Sequence, residues 1–332
     1  MNHQLPKRVL ICGLGSIGRR YCRLITKKWP SINLAAVRSG NGGAVEEESK
    51  LYKCFDSISA ALKWQPNAAI IASPASLHIE QSCQLGEHSI PLLIEKPVGT
   101  GYEDKALYKQ LRYLSSKTPI YVGYVLRHDP CTAYMREQLA NGKLGKLMSA
   151  DFFCGSWLPD WRPGQNYKRS VSAQRELGGG ALLELSHELD MAQWLLGPLK
   201  LVSTIIRNSG VLDIEVEDQA YLLAQDSDES PVTIRLDFST NPPKRTITLR
   251  FTQGELTWDV INGTITSSSN NNSEKKTNLG TTSDERFYRQ LELFWQHPQS
   301  KQTEICSLEE GFSALELAIK ARRLAEKHKE SH

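Results

Sequence analysis

Lys96 is the residue best placed to do chemistry. Residues 90–94 read Ile-Pro-Leu-Leu-Ile, and Glu95-Lys96-Pro97 follows without a spacer. An apolar strand of this kind belongs to a parallel sheet, and ligands of open α/β sheets bind at the carboxyl edge where such strands end. An ammonium delivered there can polarise an oxygen of a bound molecule. Pro97 stiffens the delivery, and a cis Lys96-Pro97 bond would turn the lysine inward. Standing alone, the tripeptide fits a surface lysine closing a strand better.

A second group of reactive side chains follows three consecutive glycines, Gly178, Gly179 and Gly180. Glu184, His187 and Asp190 then recur every three residues, so on one continuous helix all three project to one side. Carboxylate, imidazole and carboxylate beside Leu182, Leu183, Leu185 and Leu189 suit acid/base work better than packing. A histidine can take a hydroxyl proton while a carboxylate fixes its tautomer. A solvated helix face with an incidental histidine is the plainer alternative. No metal is expected, because i, i+3 spacing without further ligand residues is weak support for one.

These groups need a cofactor, and Gly13, Gly15 and Gly18 point to its kind. They form G-x-G-x-x-G after a strand and before a helix, with Ser16 and Ile17 inside the turn. Glycines there permit a tight turn and close backbone approach, and the helix start receives a pyrophosphate. About twenty residues on, an NAD enzyme usually holds Asp or Glu for the ribose hydroxyls. This chain has Arg38-Ser39. Arg38 can stack on adenine or pair with a 2′-phosphate and Ser39 can add a hydrogen bond, which favours NADP over NAD. A solvated arginine would leave the choice open. Ser73, Pro74 and Ser76 would let the nicotinamide ribose approach the backbone, and His78 would either cap or pack at the start of the following helix or touch the cofactor. Tyr124 and Arg127 sit where one domain hands over to the next. The loop 156–170 offers Trp157, Trp161, Arg162, Tyr167, Lys168 and Arg169, which suit a sugar carrying an anionic group or, equally, an oligomer contact.

The positioning elements follow from periodicity. Strands over 8–12, 34–37, 68–72, 91–94 and 120–124 alternate with helical stretches from residue 17, over 77–85 and over 103–114, which argues βαβ units on a parallel sheet. After residue 126 come strands over 146–154, 201–207, 220–224, 232–238, 245–251 and 255–260, expected as an antiparallel meander. Residues 266–283 are Asn/Ser-rich and expected as a loop. The stripe Leu308, Phe312, Leu315, Ala318, Ile319 and Leu324 predicts a closing helix over 307–327. The fold class is α/β: a Rossmann domain over 1–125, then an α/β domain with an open, mostly antiparallel sheet over 126–332.

Bulk numbers narrow the function classes. A chain of 332 residues with 40% hydrophobic and 23% charged residues is ordinary globular protein with room for two domains. A net charge of +3 with no basic face argues against nucleic acid. No apolar run approaches the roughly 18 residues of a membrane span, and an early first strand argues against a leader, so a cytoplasmic protein is expected. The seven cysteines form neither a CxxC pair nor a cluster with histidine and read as reduced, mostly buried thiols.

Taken in chain order, residues 13–18, 73–78, 95–97, 123–127 and 178–190, with the closing helix from Ser307, resemble the Gfo/Idh/MocA oxidoreductase family over nearly the whole chain. The resemblance implies that Lys96 and His187 flank a sugar or polyol carbon that exchanges hydride with nicotinamide, and that Glu95 and Lys96 lie on the cofactor edge. With Lys96 and His187, Glu184 is expected in the catalytic group; Glu184 and Arg127 are expected to position the ring, and Tyr124 and Asp190 to meet substrate. The resemblance also implies assembly through the open sheet face, as a homodimer or homotetramer. The family often holds an aspartate four residues before the catalytic histidine; here that position is Leu183, and the carboxylate is Glu184, three before. The segment around His187 and the Trp/Arg loop look like a branch associated with surface-polysaccharide and acidic-sugar biosynthesis. Three functions are thus in view: a sugar or nucleotide-sugar dehydrogenase, a redox-assisted epimerase or eliminase with tightly held cofactor, and a non-catalytic nucleotide sensor.

Overall fold

The computed structural model describes residues 5–38, 40, 43, 45–269, 272–296 and 304–330. It divides into two compact units, Met1–Val125 with Ser283–Phe312, and Leu126–Thr282 with Ser313–His332.

The first unit opens with β1 (Arg8–Cys12), α1 (Ser16–Lys28), β2 (Asn33–Val37), β3 (Lys53–Phe55), α2 (Ile58–Leu62), β4 (Ala68–Ile71), α3 (His78–Gly86), β5 (Leu92–Ile94), α4 (Lys105–Ser115) and β6 (Ile120–Val122). These six strands pair in parallel in the order β6-β5-β4-β1-β2-β3. Residues 9–12, 68–71 and 92–94 are all buried, as expected of strands covered on both faces. α1 buries Tyr21, Cys22, Leu24 and Ile25 on one stripe and carries Lys27 and Lys28 in its last turn, where they complement the helix dipole. The strand order reverses about β1, so the crevice for a ligand opens at the carboxyl ends of β1 and β4.

The second unit contains α5 (Pro130–Asn141), β7 (Leu147–Gly155), α6 (Ala181–Glu184), α7 (His187–Leu196), β8 (Lys200–Arg207), β9 (Gln219–Gln225), β10 (Pro231–Asp237), β11 (Lys244–Phe251), β12 (Gly254–Asp259), β13 (Thr264–Ser269) and β14 (Asn272–Asn278). α5 starts with Asp129 accepting a hydrogen bond from the Cys131 amide and Pro130 in its first turn, and stops at left-handed Gly142. The strands form one sheet in the order β14-β13-β12-β11-β7-β10-β9-β8. Only β7 and β10 pair in parallel. The expected meander is therefore two antiparallel ribbons hung on either side of β7, whose buried Phe152, Phe153 and Cys154 make it the natural centre. β9 and β10 alternate buried and exposed residues, so one sheet face is covered and the other open.

A further correction concerns the polar stretch 266–283. β13 and β14 form an antiparallel hairpin there, with Ile265 opposite Thr277 and Thr266 opposite Lys276. Backbone pairing rather than apolar burial holds it, and exposed Lys275 and Lys276 suit a sheet edge protected from further pairing.

The chain then re-enters the first unit through α8 (Ser283–Gln296) and β15 (Cys306–Ser307), which pairs antiparallel to β6. A single division at residue 125 misses this return. α8 buries Phe287, Leu291, Phe294 and Trp295, a helical spacing that completes the core around Tyr21, Leu24 and Ile25. α9 (Leu308–Glu330) follows, with Leu308, Phe312, Leu315 and Ala318 buried. No helix among the described residues is long and apolar enough to cross a membrane. None of the seven cysteines is in a disulfide, and burial pushes the Cys12 thiol up to about 12 and Cys83 to about 11, so both pack as neutral groups.

Glu95 packs into this core. It is 7% exposed, it accepts a 2.6 Å hydrogen bond from the Tyr21 hydroxyl, and Gln290 donates to that hydroxyl at 2.7 Å. A Cβ at Gly123 would lie 2.8 Å from its Oε1, so Gly123 is small because the carboxyl occupies the space. The contacts of Glu95 in this structure are core contacts, on the strand-end residue next to Lys96. Burial raises the Glu95 pKa above the usual carboxylate value. A raised carboxyl favours folding below its unfolded pKa and loses that contribution as pH rises through the folded value. Glu95→Gln keeps an acceptor for Tyr21 and removes the buried charge. Melting curves from pH 5 to 8 should show a wild-type Tm that falls relative to the variant as pH rises, with the variant ahead at pH 8 by roughly 2–4 °C per kcal/mol recovered. A variant less stable at every pH would mean that the carboxylate is held by its neighbours' charge.

Candidate functional site

In the first unit the site is built on the turn after β1. Gly13 has φ +93°, and a Cβ there would lie 2.8 Å from the Ala72 carbonyl and from Ser73. A Cβ at Gly18 would fall 1.9 Å from the Gly13 carbonyl, so only glycine lets α1 close on the turn. Gly15 has open space around it, and Gly15 and Ser16 are exposed. α1 begins without a side-chain cap and without an acid in its first turn, leaving its amides and dipole for an anion. Ile17 instead packs on the core. These residues fit a dinucleotide's pyrophosphate.

Lys96 ends β5 on the same carboxyl edge, half-buried, and its bond to Pro97 is cis. His78 lies beneath this edge at 1% exposure. Its Nδ1 is 2.8 Å from the Pro97 carbonyl and its Nε2 is 2.8 Å from the Ser73 carbonyl, so the ring ties together the turns after β4 and β5. Burial pushes its pKa below the usual value, against the pull of the two carbonyls. Of its two expected roles His78 therefore takes packing, while Ser73, Pro74 and Ser76 remain half-buried at the edge. Ser73 donates to Gln81 at 2.8 Å.

Arg38 ends β2 but is already engaged. It forms an ion pair with Glu48 and donates to the Gly43 carbonyl at 2.9 Å. Ser39 lies outside the described residues. A 2′-phosphate would have to compete with Glu48 for the guanidinium. Arg38→Asp should lower the ratio of NADP to NAD affinity about tenfold or more, a charge-assisted hydrogen bond being worth roughly 1.5–3 kcal/mol. Glu48→Gln should move the ratio the other way. Dissociation constants for both cofactors decide it; ratios unchanged in both variants would place Arg38 outside cofactor selection.

In the second unit the structure revises the expected helix face. α6 ends at Glu184 and α7 begins at His187, with Leu185 at φ −100°, ψ 26° between them. Glu184, His187 and Asp190 therefore do not share one helix. Glu184 and His187 are half-buried, and Ser172 Oγ donates to Glu184 at 3.0 Å. Asp190 is fully committed: Arg127 meets it through Nε at 3.0 Å and Nη2 at 2.5 Å, with both side chains at most 2% exposed. The Arg127 guanidinium also sits 5.2 Å from the Trp194 ring. This buried pair brackets the start of α7 and is not open to substrate. Tyr124, at 1% exposure, is likewise a core residue.

The glycine run has a packing reason that the sequence does not reveal. Gly178 takes a left-handed φ of +87°, a Cβ at Gly179 would meet the Val171, Ser172 and Gln174 carbonyls within 2.8 Å, and one at Gly180 would meet the Glu217 carboxylate at 2.4 Å. Glu217 also accepts from the Leu182 amide and pairs with Arg322. The run thus clamps the loop before it onto α6. That loop folds into short 3₁₀ turns, Leu158–Trp161, Tyr167–Arg169 and Val171–Ala173, around a cavity of about 440 Å³. Trp161, Arg162, Tyr167 and Arg169 of that loop line it together with Ser172; half-buried Trp157 is not part of the wall. Ser172, the donor to Glu184, was missed because a serine outside any motif carries no signal until its partner is seen.

Known proteins share this plan. Residues 7–118 match the oxidoreductase family with an NAD-binding Rossmann fold, and residues 132–257 match the Gfo/Idh/MocA C-terminal domain. The chain is 24% identical over 255 residues to a 2,7-anhydro-N-acetylneuraminate hydratase of Mediterraneibacter gnavus, covering 75% of this chain and 66% of that protein. The chain spans about two thirds or less of the length of the curated relatives it matches most strongly. Among solved structures, levoglucosan dehydrogenase in complex with NADH and levoglucosan superimposes with a TM-score of 0.82 at 16% identity, covering 96% of this chain and 97% of that one. The WlbA dehydrogenase from Bordetella pertussis, in complex with NADH and UDP-GlcNAcA, gives 0.75 at 19% identity, covering 96% of each. With a glycine turn fitted to a pyrophosphate in its first unit and an open, mostly antiparallel sheet in its second, the chain belongs to the Gfo/Idh/MocA oxidoreductase family.

Proposed function

We propose that the protein is a cytoplasmic NAD(P)-dependent oxidoreductase acting on a CH–OH or carbonyl carbon of a sugar, polyol or nucleotide sugar. The observation that carries this is the shared edge of the first sheet, where an uncapped α1 behind Gly13, Gly15 and Gly18 stands with the half-buried ammonium of Lys96. When bound, the nicotinamide supplies hydride acceptance or donation. Lys96 polarises the reacting oxygen and stabilises charge that develops on it. His187 moves the proton, and Glu184, steadied by Ser172, positions the substrate hydroxyls. Arg127 and Asp190 serve by holding α7 and not by touching substrate. NADP is the preferred cofactor in this proposal, supported by Arg38 in place of the usual acid. Self-association as a homodimer or homotetramer belongs to it too: Ile205, Tyr221 and Leu223 remain exposed on β8 and β9, and sedimentation velocity measures it.

The test is to incubate the purified protein with NAD or NADP and a panel of neutral sugars, sugar acids and nucleotide sugars while following absorbance of the reduced cofactor. Net reduction with one substrate class supports a dehydrogenase. The hydratase among the relatives favours a second arm, in which product forms while free cofactor stays unchanged and a redox-assisted elimination is at work. Bound cofactor with no product from any class would leave a nucleotide-binding scaffold.

A further inference from the structure

The cavity in the second unit carries an electrostatic imbalance. Arg162 and Arg169 both line it, and among the described residues neither guanidinium has a hydrogen-bond or ion-pair partner. Neighbouring charges are spent elsewhere: Lys168 pairs with Asp213 at 2.5 Å, and Arg175 bonds the Glu215 carbonyl at 3.1 Å while its amide takes the Glu215 carboxylate. Asp160 is not part of the lining. Two like charges held around one cavity repel until an anion arrives, and guanidinium meets oxyanions in a bidentate geometry that repays the contact.

The walls are set before any ligand binds. Trp161 donates from Nε1 to Ser156 Oγ at 2.7 Å and packs edge-on against Phe238 at 5.2 Å. Ser170 Oγ donates to the Tyr167 carbonyl, Gln174 to the Arg169 carbonyl, and Gly179 packs flat against the carbonyls of the closing turn. The inner wall ends at Ser172, which donates to Glu184, three residues before His187.

We propose that this cavity seats an oxyanion group of the substrate, with Arg162 and Arg169 as its countercharges and Trp161 and Tyr167 as walls for the ring that bears it. The substrate is then an anionic sugar, its charge a carboxylate on the ring or the diphosphate of a nucleotide sugar. This rests on the oxidoreductase reading only for the word substrate; the binding itself does not.

Calorimetric titration with glucuronate, UDP-glucose and neutral glucose tests it on the full chain with cofactor present. Glucuronate or UDP-glucose should bind at least tenfold more tightly than glucose, and whichever does so names the source of the charge. Arg162→Ala with Arg169→Ala should remove that advantage, bringing the anionic probe down to the affinity of glucose. Arg162→Lys with Arg169→Lys, should the alanine pair fail to fold, should retain part of it and make it more salt-sensitive. Equal affinity for all three probes overturns the proposal, as does an advantage that survives loss of both arginines. A change of sedimentation coefficient in the variants without any change in affinity also overturns it, marking the loop as a subunit contact. Anion binding with no product from any class of the substrate panel would sink the oxidoreductase reading and leave the cavity's role intact.

Discussion

Lys96→Met is expected to lower kcat by roughly 10²–10⁴ while leaving cofactor affinity within about threefold of wild type. The separation follows from where the binding energy arises. The backbone at Gly15 and the start of α1 would hold the pyrophosphate, and neither rests on the lysine. Its ammonium is assigned to the reacting oxygen, so its loss is felt in the transition state and not in the cofactor complex. Methionine keeps the apolar stem and volume. Lys96→Arg should recover only part of the rate, because a planar fork cannot replace a compact, rotatable ammonium. Cofactor titration by fluorescence together with initial rates measures both halves. Near-native kcat in Lys96→Met would return Glu95-Lys96-Pro97 to a strand ending, and lost cofactor affinity would move Lys96 to the pyrophosphate.

Some of this architecture is legible in the sequence for a plain reason. Gly18 acts through the absence of a side chain, and the steric need for that absence is local to one turn, since a Cβ there would strike the Gly13 carbonyl; at Gly13 the same need comes from Ala72 and Ser73 at the end of the neighbouring strand. The parallel strands announce themselves because both faces are buried. What stays hidden depends on partners distant in sequence. Arg127 looks open to substrate until Asp190, 63 residues on, closes it off. Glu95 gives no sign of its core partners until Tyr21 and Gln290 are found against it. The i, i+3 spacing of Glu184, His187 and Asp190 suggests one helix face, yet nothing local marks the break at Leu185. The hairpin β13–β14 defeats pattern reading differently: its strands bury little, so composition resembles a loop while backbone pairing makes a sheet.

His187→Asn should lower kcat by roughly 10²–10⁴ and remove the neutral-range limb of its pH profile, with cofactor affinity and fold unchanged. His187 opens α7 half-buried, so its replacement leaves no large void, and the Arg127–Asp190 pair that anchors the helix is untouched. Glu184→Gln is the informative companion. Its amide oxygen can still accept from Ser172 Oγ, so a positioning role loses only the charge and the variant should fall less far than His187→Asn. The break between α6 and α7 sharpens the comparison, because the two side chains do not share a helix face and their roles separate. If both act on one proton-transfer event, the double variant should cost less than the product of the single effects. Independent multiplication would assign them to different steps. A rate and pH profile unchanged in His187→Asn would pass proton transfer to Lys96, and a larger loss in Glu184→Gln would make the carboxylate the base.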